Sequence, residues 1–244
     1  MKELKIENGV LVKCETDERE ITIPDGVTTI GINAFENCTS LERIVIPDSV
    51  TTIRGWAFAG CTSLESIVIP DGVTYIGDYA FRDCKSLKSI SIPDGVTIIR
   101  DCTFSWCTSL ESIIIPNSVT TIEGWAFCDC HSLTSITIPD GVTTIEEWVF
   151  ENCTSLERVS IPDNVTTIEG WAFCDCHSLT SITIPDSVTT IGDCAFRGCI
   201  SLTSVTIPDS VTTIGTGIFS RCRKIDFNLS KKFSDRLIEK ILTE

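Results

Sequence analysis

Apolar and polar positions follow one pattern along most of the chain, and that pattern repeats every 23 residues. One unit reads Ile-Pro-Asp-x-Val-Thr-x-Ile, then x-x-x-Ala-Phe-x-x-Cys-x-Ser-Leu-x-x-Ile-x, before the next Ile-Pro. Nine prolines from Pro24 to Pro208 keep this step, as do nine of the eleven phenylalanines and nine of the fourteen cysteines. Because a fixed period of this length is typical of repeat architectures, the sequence predicts a solenoid of nine stacked coils.

The end of each unit predicts a short strand. In Leu179-x-x-Ile182-x-Ile184, three apolar side chains recur at spacings that would point them into the coil. Stacked coils would pair these strands in parallel, about 4.8 Å apart. The Pro-Asp-Gly that follows, as in residues 24–26, predicts a turn. Proline presets φ there, aspartate bonds its own backbone, and glycine accepts positive φ.

The middle of each unit predicts a second extended stretch, Val-Thr-Thr-Ile, and then a short helical turn. In that turn Ala57, Phe58 and Cys61 are expected to face inward. Trp56 would lie roughly 200° from Phe58 around the helix and would face solvent. One coil buries little alone, so stability is expected to come from contacts between neighbouring coils.

The phrases Ile-Pro-Asp-x-Val-Thr-x-Ile-Gly, Ala-Phe and Cys-x-Ser-Leu resemble the BspA-like class of leucine-rich repeats over residues 21–225, the predicted solenoid. Residues 8–12, Asn-Gly-Val-Leu-Val, also resemble the opening hairpin common in that family. The resemblance implies a right-handed, mainly β coil with parallel strands on one face and short helical or extended segments on the other. It further implies binding, since members are mostly surface or secreted binding proteins, often adhesins, that are similar in fold far more than in ligand.

Both ends depart from the repeat, as the caps of a solenoid should. Residues 1–20 contain an Asn-Gly dipeptide between two short runs and predict an N-terminal β-hairpin cap. Residues 226–244 carry Phe233, Leu237 and Ile241 at i, i+4 and i+8, which predicts an amphipathic α-helical cap on the last coil. The alternative for this segment is a hinge to a further domain.

Charge and targeting signals narrow the functional classes. The chain has 34 acidic and 19 basic residues and a formal charge of −15. Neither nucleic acid nor an anionic membrane surface is an expected partner, because both are bound mainly through an excess of Lys and Arg. With no signal peptide and no long apolar run in view, membrane insertion is not expected. The many expected free thiols favour a cytoplasmic location, whereas the family resemblance implies the cell surface or secretion. The oligomeric state stays open.

Fourteen cysteines raise the question of disulfides or a metal. Nine of them keep one internal position, where cysteine acts as a small hydrophobe, and they are expected to be buried thiols. Cys-Asp-Cys-His occurs at residues 128–131 and 174–177 and has ligands of the kind that zinc takes. These copies lie two coils apart, about 10 Å, so no shared metal is predicted. No cofactor is predicted either. The cysteines outside the column are expected to react with thiol reagents, namely Cys14, Cys102, Cys128, Cys174 and Cys194.

No catalytic constellation stands out. Both histidines, His131 and His177, lie in identical 19-residue segments, 122–140 and 168–186, so duplication explains them better than an active site. No nucleophile–base pair or phosphate loop is visible, and the chain is not expected to be an enzyme. The recurring turn aspartates could attract Ca²⁺ weakly, but a solvated ladder of turns is the favoured interpretation.

Two surfaces vary from coil to coil on this constant frame, which is where a repeat protein can place specificity. The first is the outer side of the predicted strands, here called the strand face, which is acidic and apolar at one end and rich in hydroxyls at the other. The second is the position before Ala-Phe, here called the ladder. Its nine occupants are Asn33, Trp56, Tyr79, Cys102, Trp125, Trp148, Trp171, Cys194 and Gly217.

Five aromatic residues within six consecutive ladder positions predict a stripe of rings that faces solvent. Such stripes are uncommon without a partner, although the rings could also simply stack and cover the coil edge. We therefore expect a non-catalytic scaffold that binds a protein or another cell-surface macromolecule. A structural spacer carrying a further domain and carbohydrate binding through the ladder stay open. The candidate contacts are Trp56, Tyr79, Trp125, Trp148 and Trp171, with Glu42, Arg43, Glu157 and Arg158 as secondary contacts.

Overall fold

The computed structural model describes residues 3–15, 17–223 and 225–229. Its strands are short, and all but β1 (Glu3–Glu7) belong to one of two columns along the solenoid. The first column, which carries the strand face, consists of β3 (Glu20–Thr22), β5 (Arg43–Val45), β7 (Ser66–Ile67), β9 (Ser89–Ser91), β11 (Ser112–Ile114), β13 (Ser135–Thr137), β15 (Arg158–Ser160), β17 (Ser181–Thr183), β19 (Ser204–Ile207) and β21 (Asp226–Leu229). The second consists of β2 (Val10–Glu15), β4 (Thr29–Ile30), β6 (Thr52–Ile53), β8 (Tyr75–Ile76), β10 (Ile98–Ile99), β12 (Thr121–Ile122), β14 (Thr144–Ile145), β16 (Thr167–Ile168), β18 (Thr190–Ile191) and β20 (Thr213–Ile214).

Most neighbouring strands of a column pair in parallel, in a register set by the repeat. Pairing is interrupted after β11 and β15 in the first column, and after β8 and β12 in the second. Ser181 of β17 lies opposite Ser204 of β19, and Thr144 of β14 lies opposite Thr167 of β16. In the first column the central residue of a strand points inward and its neighbours are exposed, as in Ser135–Thr137. The predicted coil with parallel strands on one face and a second extended stretch is thereby confirmed.

The core is a continuous stack of apolar side chains through the middle of the coils. One phenylalanine from each coil, from Phe35 to Phe219, joins a single column of rings whose centroids are 5.1–5.6 Å apart. These nine rings are almost completely buried, and Ala57 and Cys61 are buried beside them, as expected. Because each inner ring rests on the coils before and after it, the core belongs to the stack rather than to any one coil.

The expected helical turn after the second strand is wrong. Across the described ranges this segment forms consecutive turns, and they contain no helix. Trp56 and Gly60 have a left-handed backbone, with φ of 59° and 73°. The Phe58 N–H donates to the Ala80 carbonyl of the next coil (2.8 Å), while the Ala59 N–H donates back to the Trp56 carbonyl (3.1 Å). A helix would use every amide within its own turns, so hydrogen bonding between coils decides against it.

At the N-terminal end, β1 and β2 form an antiparallel hairpin. Asn8 and Gly9 both have positive φ at its turn, the geometry that an Asn-Gly dipeptide favours. Strand β2 also pairs with β4, so the hairpin covers the edge that the first coil would otherwise expose.

At the C-terminal end, the predicted helical cap is wrong in its first part. Residues 226–229 form β21, which extends the first column by pairing in parallel with β19. Apolar and polar residues alternate from residue 225 to 229, and this period suits a strand that continues the column. Residues 230–244, with the helix predicted from Phe233, Leu237 and Ile241, lie outside the described residues.

Candidate binding surfaces

The strand face is polar, with a few exposed apolar residues. Val45, Val68 and Ile114 project outward, and Val68 is 80% exposed. Two hollows of 520 Å³ each lie on this face, one beside Val68 and Asp94 and the other beside Arg158. Neither hollow contains an aromatic side chain, so the strand face offers few of the anchors that dominate binding energy.

The charged candidates of the strand face form two separate pairs. Glu42 and Arg43 are five coils away from Glu157 and Arg158. Glu42 forms an ion pair with Arg19 (3.1 Å), and exposed pairs of this kind contribute little to stability. The structure does not bring these four residues together with the ladder aromatics, because the charged residues lie in or just before the first strand column and the aromatic residues follow the second.

Every ladder position has a left-handed backbone, with φ between 52° and 59° from Asn33 to Gly217. Asn and Gly adopt this conformation readily, whereas it costs other residues about 1–2 kcal/mol. Hydrogen bonds between coils maintain it: the Trp171 N–H donates to the Asp193 carbonyl of the next coil (2.9 Å). Backbone preference therefore does not explain why tryptophan occupies four of these positions.

The ladder aromatics form two stacks rather than one stripe. Trp56 stacks on Tyr79 with ring centroids 4.2 Å apart. Trp125, Trp148 and Trp171 form a second stack, with centroids 4.5 and 5.1 Å apart. Trp125 is 40% exposed, and the other four rings are half-buried. The rings thus meet solvent and cover one another at once, and Cys102 separates the two stacks.

Charges differ between the two stacks. The Arg82 guanidinium lies 5.9 Å from the Tyr79 ring centroid, within reach of a cation–π contact. Acidic residues gather near the second stack, where the pKa of Glu146 is raised, first by its partial burial and then by the nearby carboxylates of Glu169 and Glu147. Glu147 and Glu169 also line a shallow hollow together with Trp171. The second stack is therefore flanked by negative charge.

The cysteine column has a role that sequence reasoning missed. All fourteen cysteines are thiols. In eight successive coils the column thiol lies within hydrogen-bonding distance of the phenylalanine carbonyl oxygen of the preceding coil, 3.1–3.2 Å away. The Phe104 carbonyl, for example, accepts the Cys107 amide and the Cys130 thiol. A carbonyl oxygen has two lone pairs that can accept hydrogen bonds. The thiol of a small, buried cysteine can donate to the second one. The signal in the sequence is the constant spacing of 26 residues.

Burial makes most thiols poor nucleophiles, including three that were expected to react. Cys14, Cys128 and Cys174 are buried, so their predicted accessibility is wrong. Burial is also the main reason that the pKa of Cys174 rises to about 12. Among the off-column cysteines, the partly exposed ones are Cys102 and Cys194. The stacked turns of neighbouring coils cover side chains that the sequence alone places at the surface.

The first Cys-Asp-Cys-His segment forms a hydrogen-bond cluster. The Cys128 thiol donates to the buried carboxylate of Asp129 (3.1 Å), whereas the Cys130 thiol belongs to the core column. The Asn152 amide also donates to this carboxylate (3.0 Å), and His131 Nε2 lies 3.4 Å from it. The groups surround one carboxylate rather than a point where a metal could sit, since the two thiols take different directions.

Comparisons with known proteins agree with this architecture. The sequence profile of the BspA type leucine-rich repeat region, in six copies, matches residues 5–131 and 97–226. No curated protein matches the chain in sequence. A leucine-rich repeat protein from Bacteroides ovatus is 36% identical, with 92% of this chain and 59% of that chain covered and a TM-score of 0.79. A leucine-rich repeat protein from T. pallidum is 33% identical, with 73% of this chain and 87% of that chain covered and a TM-score of 0.67.

The pneumococcal vaccine antigen PcpA is similar in fold, at 23% identity, with 88% of this chain and 58% of that chain covered and a TM-score of 0.61. The chain thus spans 59% of the length of the B. ovatus protein and 87% of the T. pallidum protein. Within the part of the chain that the structure describes, no helix is long and apolar enough to cross a membrane. The profile match over most of the chain, together with the nine coils in one register, shows that the chain belongs to the BspA-type leucine-rich-repeat family.

Proposed function

We propose that the chain is a non-catalytic binding module whose protein partner contacts the second aromatic stack of the ladder, Trp125, Trp148 and Trp171. Its leucine-rich-repeat family is consistent with a binding or scaffold module. The observation that carries the proposal is the stack itself, three tryptophans that meet solvent in a left-handed backbone conformation. Every ladder position shares this backbone conformation, but only here do three successive coils carry a tryptophan on it.

The stack supplies the kind of anchor that protein interfaces use. Tryptophan is among the residues most enriched at binding hot spots. Each ring is already held by its neighbour, with centroids 4.5 and 5.1 Å apart, so little side-chain freedom is left to lose on binding. A partner that lies along the coils would therefore meet a rigid apolar edge.

The acidic flank of the stack indicates the charge of the partner. Glu147 and Glu169 lie in the same hollow as Trp171, and the chain as a whole carries −15. A partner with Lys or Arg around an apolar patch would complement this surface. Complementary charges mainly accelerate association, so the association rate should fall as salt rises.

Stacking disfavours carbohydrate binding along the middle of the ladder. Sugar C–H groups pack against the electron-rich face of an aromatic ring. Both faces of Trp148 are covered, by Trp125 and Trp171, and only its edge is left for contact. The charged candidates lie on another segment of the coil than the ladder, and the stacking of the rings does not affect them. They stay predicted secondary contacts, namely Glu42, Arg43, Glu157 and Arg158.

A triple variant, Trp125→Asn with Trp148→Asn and Trp171→Asn, tests the proposal. Asparagine suits the ladder backbone, because Asn33 already occupies it with φ of 58°. Immobilised wild-type chain is used to probe panels of purified proteins and glycans, and each specific ligand is then titrated against the variant. Affinity should fall by more than about tenfold, because a hot-spot residue contributes about 2 kcal/mol or more.

The matched control is Thr137→Ala with Thr183→Ala on the strand face, which should change affinity by less than about twofold. The opposite ranking would move the binding surface to the strand face. If no panel member binds specifically, the spacer interpretation replaces this one.

A further inference from the structure

The ladder has one gap between its two aromatic stacks, at Cys102 of the fourth coil. A cavity of 440 Å³ opens at this gap, here called the slot, and its lining includes Tyr79, Ser105, Trp106 and Trp125. The fourth coil carries its tryptophan four residues after the ladder position, at Trp106, which is 42% exposed. The coil thus omits a ring from the ladder and places one beside the opening.

Two outward ring faces form the walls of the slot. Tyr79 rests on Trp56 and Trp125 rests on Trp148, so each wall ring has one face covered by its stacking partner. Both wall rings line the cavity around Cys102. Coils are stacked about 4.8 Å apart at their strands, and the phenylalanine rings behind the slot are 5.6 Å apart at each step. The two walls, two coils apart, are therefore separated by roughly 10–11 Å.

The intact stack shows what fits between two such walls. Trp148 lies between Trp125 and Trp171, with its centroid 4.5 Å from the first and 5.1 Å from the second. These steps fall at the close end of the range that stacked aromatic rings prefer. One flat ring inserted beside Cys102 would have a ring on each face, as Trp148 has.

The slot cannot close by moving its walls together. Behind it, Phe81, Phe104 and Phe127 stack without interruption at 5.6 Å per step. The backbone joins the same coils, since the Cys102 N–H donates to the Gly124 carbonyl (3.1 Å). The buried core therefore fixes the spacing of the walls, and a preorganised site loses less free energy on binding.

Two pairs of polar groups around the slot are hydrogen-bonded, Cys128 with Asp129 and Tyr79 with Cys102, and the Arg82 guanidinium also lines it. The Asp129 carboxylate accepts from Cys128 and Asn152. The pKa of Tyr79 is raised, chiefly by the charge that Cys102 would carry as a thiolate and then by their hydrogen bond. A sugar ring would need new partners for its hydroxyls on leaving water. An aromatic ring needs only two flat apolar faces, so the lining favours an aromatic ligand.

We propose that the slot binds one aromatic ring, an indole or a phenol, from a side chain of the protein partner that the ladder holds. The source of the ring rests on the proposed function. The affinity of the slot for a ring does not, because it follows from the two walls and their fixed spacing. A small aromatic molecule can therefore stand in for the side chain.

Alkylation of the thiols in the full chain, followed for each cysteine by peptide mass spectrometry, tests the slot with N-acetyltryptophanamide as the probe. Cys194 is the matched control, since it is also a partly exposed ladder cysteine whose pKa is raised mainly by burial. It has a ring on one side only, because Trp171 precedes it in the ladder and Gly217 follows.

At saturating probe, the alkylation rate of Cys102 should fall by about tenfold and that of Cys194 by less than about twofold. Equal protection of the two cysteines, or no protection of Cys102, would overturn the proposal. Methyl glucoside in place of the probe should protect neither cysteine, and protection of Cys102 by the glucoside would show a sugar site instead.

Cys102→Trp fills the slot with a ring of the chain's own. Cys102 has φ of 53° and Trp125 has 52°, so the new side chain can adopt the ladder geometry. Probe binding, measured by saturation-transfer NMR, should fall by at least about tenfold in this variant. Cys194→Trp, which lengthens the second stack elsewhere, should leave it within about twofold. Unchanged binding in a folded Cys102→Trp chain would overturn the proposal, and if that variant does not fold, the alkylation experiment decides.

Failure of the slot and failure of the partner surface are distinguishable. The double variant Trp148→Asn with Trp171→Asn is used for partner binding only, and the probe is tested on the wild-type chain, where Trp125 still rests on Trp148. If the variant loses the partner while the probe never protects Cys102, the slot is wrong and the partner surface stands. If the variant still binds the partner while the probe protects Cys102 fully, the partner does not bind the ladder. The slot would then still bind an aromatic ring, but the ring would not come from the proposed partner.

Discussion

Two columns of aromatic rings run along this molecule two residues apart, and they are built differently. The phenylalanine column is unbroken through nine coils and buried, with ring centroids 5.1–5.6 Å apart. The ladder has five rings in two stacks, with centroids 4.2–5.1 Å apart, and it meets solvent. The same coil therefore holds one position that never changes and, two residues before it, one that holds Asn, Trp, Tyr, Cys or Gly.

Burial explains why the phenylalanine position is constant. A smaller side chain there would leave a cavity between coils whose spacing is fixed by strand pairing, whereas water can fill the space left at a ladder position. The side chain at a ladder position can therefore change at little cost in stability, and such changes can provide specificity for a partner. Substitutions at buried and at ladder positions should therefore differ in the size of their effects.

The largest effect is expected in the phenylalanine column. Phe127→Ala should lower the free energy of unfolding by about 3–5 kcal/mol, because the cavity it leaves between Phe104 and Phe150 cannot collapse. Urea unfolding followed by circular dichroism measures it. The control is Trp125→Asn in the same coil, which should cost less than half as much. Equal costs would mean that the ladder belongs to the core.

The thiol that caps the phenylalanine carbonyl should rank second. Cys130→Ala removes the hydrogen bond to the Phe104 carbonyl and leaves a small cavity, so it should cost about 2 kcal/mol. Cys194→Ala, at a partly exposed ladder position, should cost less than about 0.5 kcal/mol in the same unfolding assay. Similar costs at the two positions would show that neither the packing nor the hydrogen bond of the column thiol adds to stability.

Loss of a ring from the middle of the second stack should have a smaller effect. Trp148→Asn removes two stacking contacts but also relieves the left-handed strain, and a net cost of about 1 kcal/mol is expected. Trp171→Asn removes one contact and should cost less. The thermal midpoints of the two variants measure the difference, and a rise in stability for either would show that strain outweighs stacking.

The smallest effect concerns the acidic residues near the second stack. The pKa of Glu146 is raised in the folded chain, so its ionised form disfavours folding, and this penalty disappears as pH falls below its ordinary pKa of 4.5. Glu146→Gln should therefore raise the thermal midpoint by about 1 °C at pH 7 and leave it unchanged near pH 4. Glu157→Gln on the strand face is the control. An equal shift of its thermal midpoint would show that the burial of Glu146 and the carboxylates near it are not the cause.

The ladder could be recognised from the sequence, but the slot between its two aromatic stacks could not. The positions of Tyr79, Cys102 and Trp125 are visible as residues, and the missing ring at Cys102 could be counted. That the gap stays open depends on the buried stack of Phe81, Phe104 and Phe127, which fixes the coil spacing behind it. A single coil contains no such information, since each step joins residues that are 23 positions apart.

By itself, the sequence determined the period, the nine coils, the two strand columns and the inward position of Phe58 and Cys61. These follow from the apolar pattern within one repeat, and that pattern fixes which side of the chain is buried. Only the tertiary structure decided that the segment at Trp56 is a set of turns rather than a helix, and that Cys128 is covered. Both depend on the next coil, whose carbonyls take alternate amides and whose side chains cover thiols that a single repeat leaves exposed.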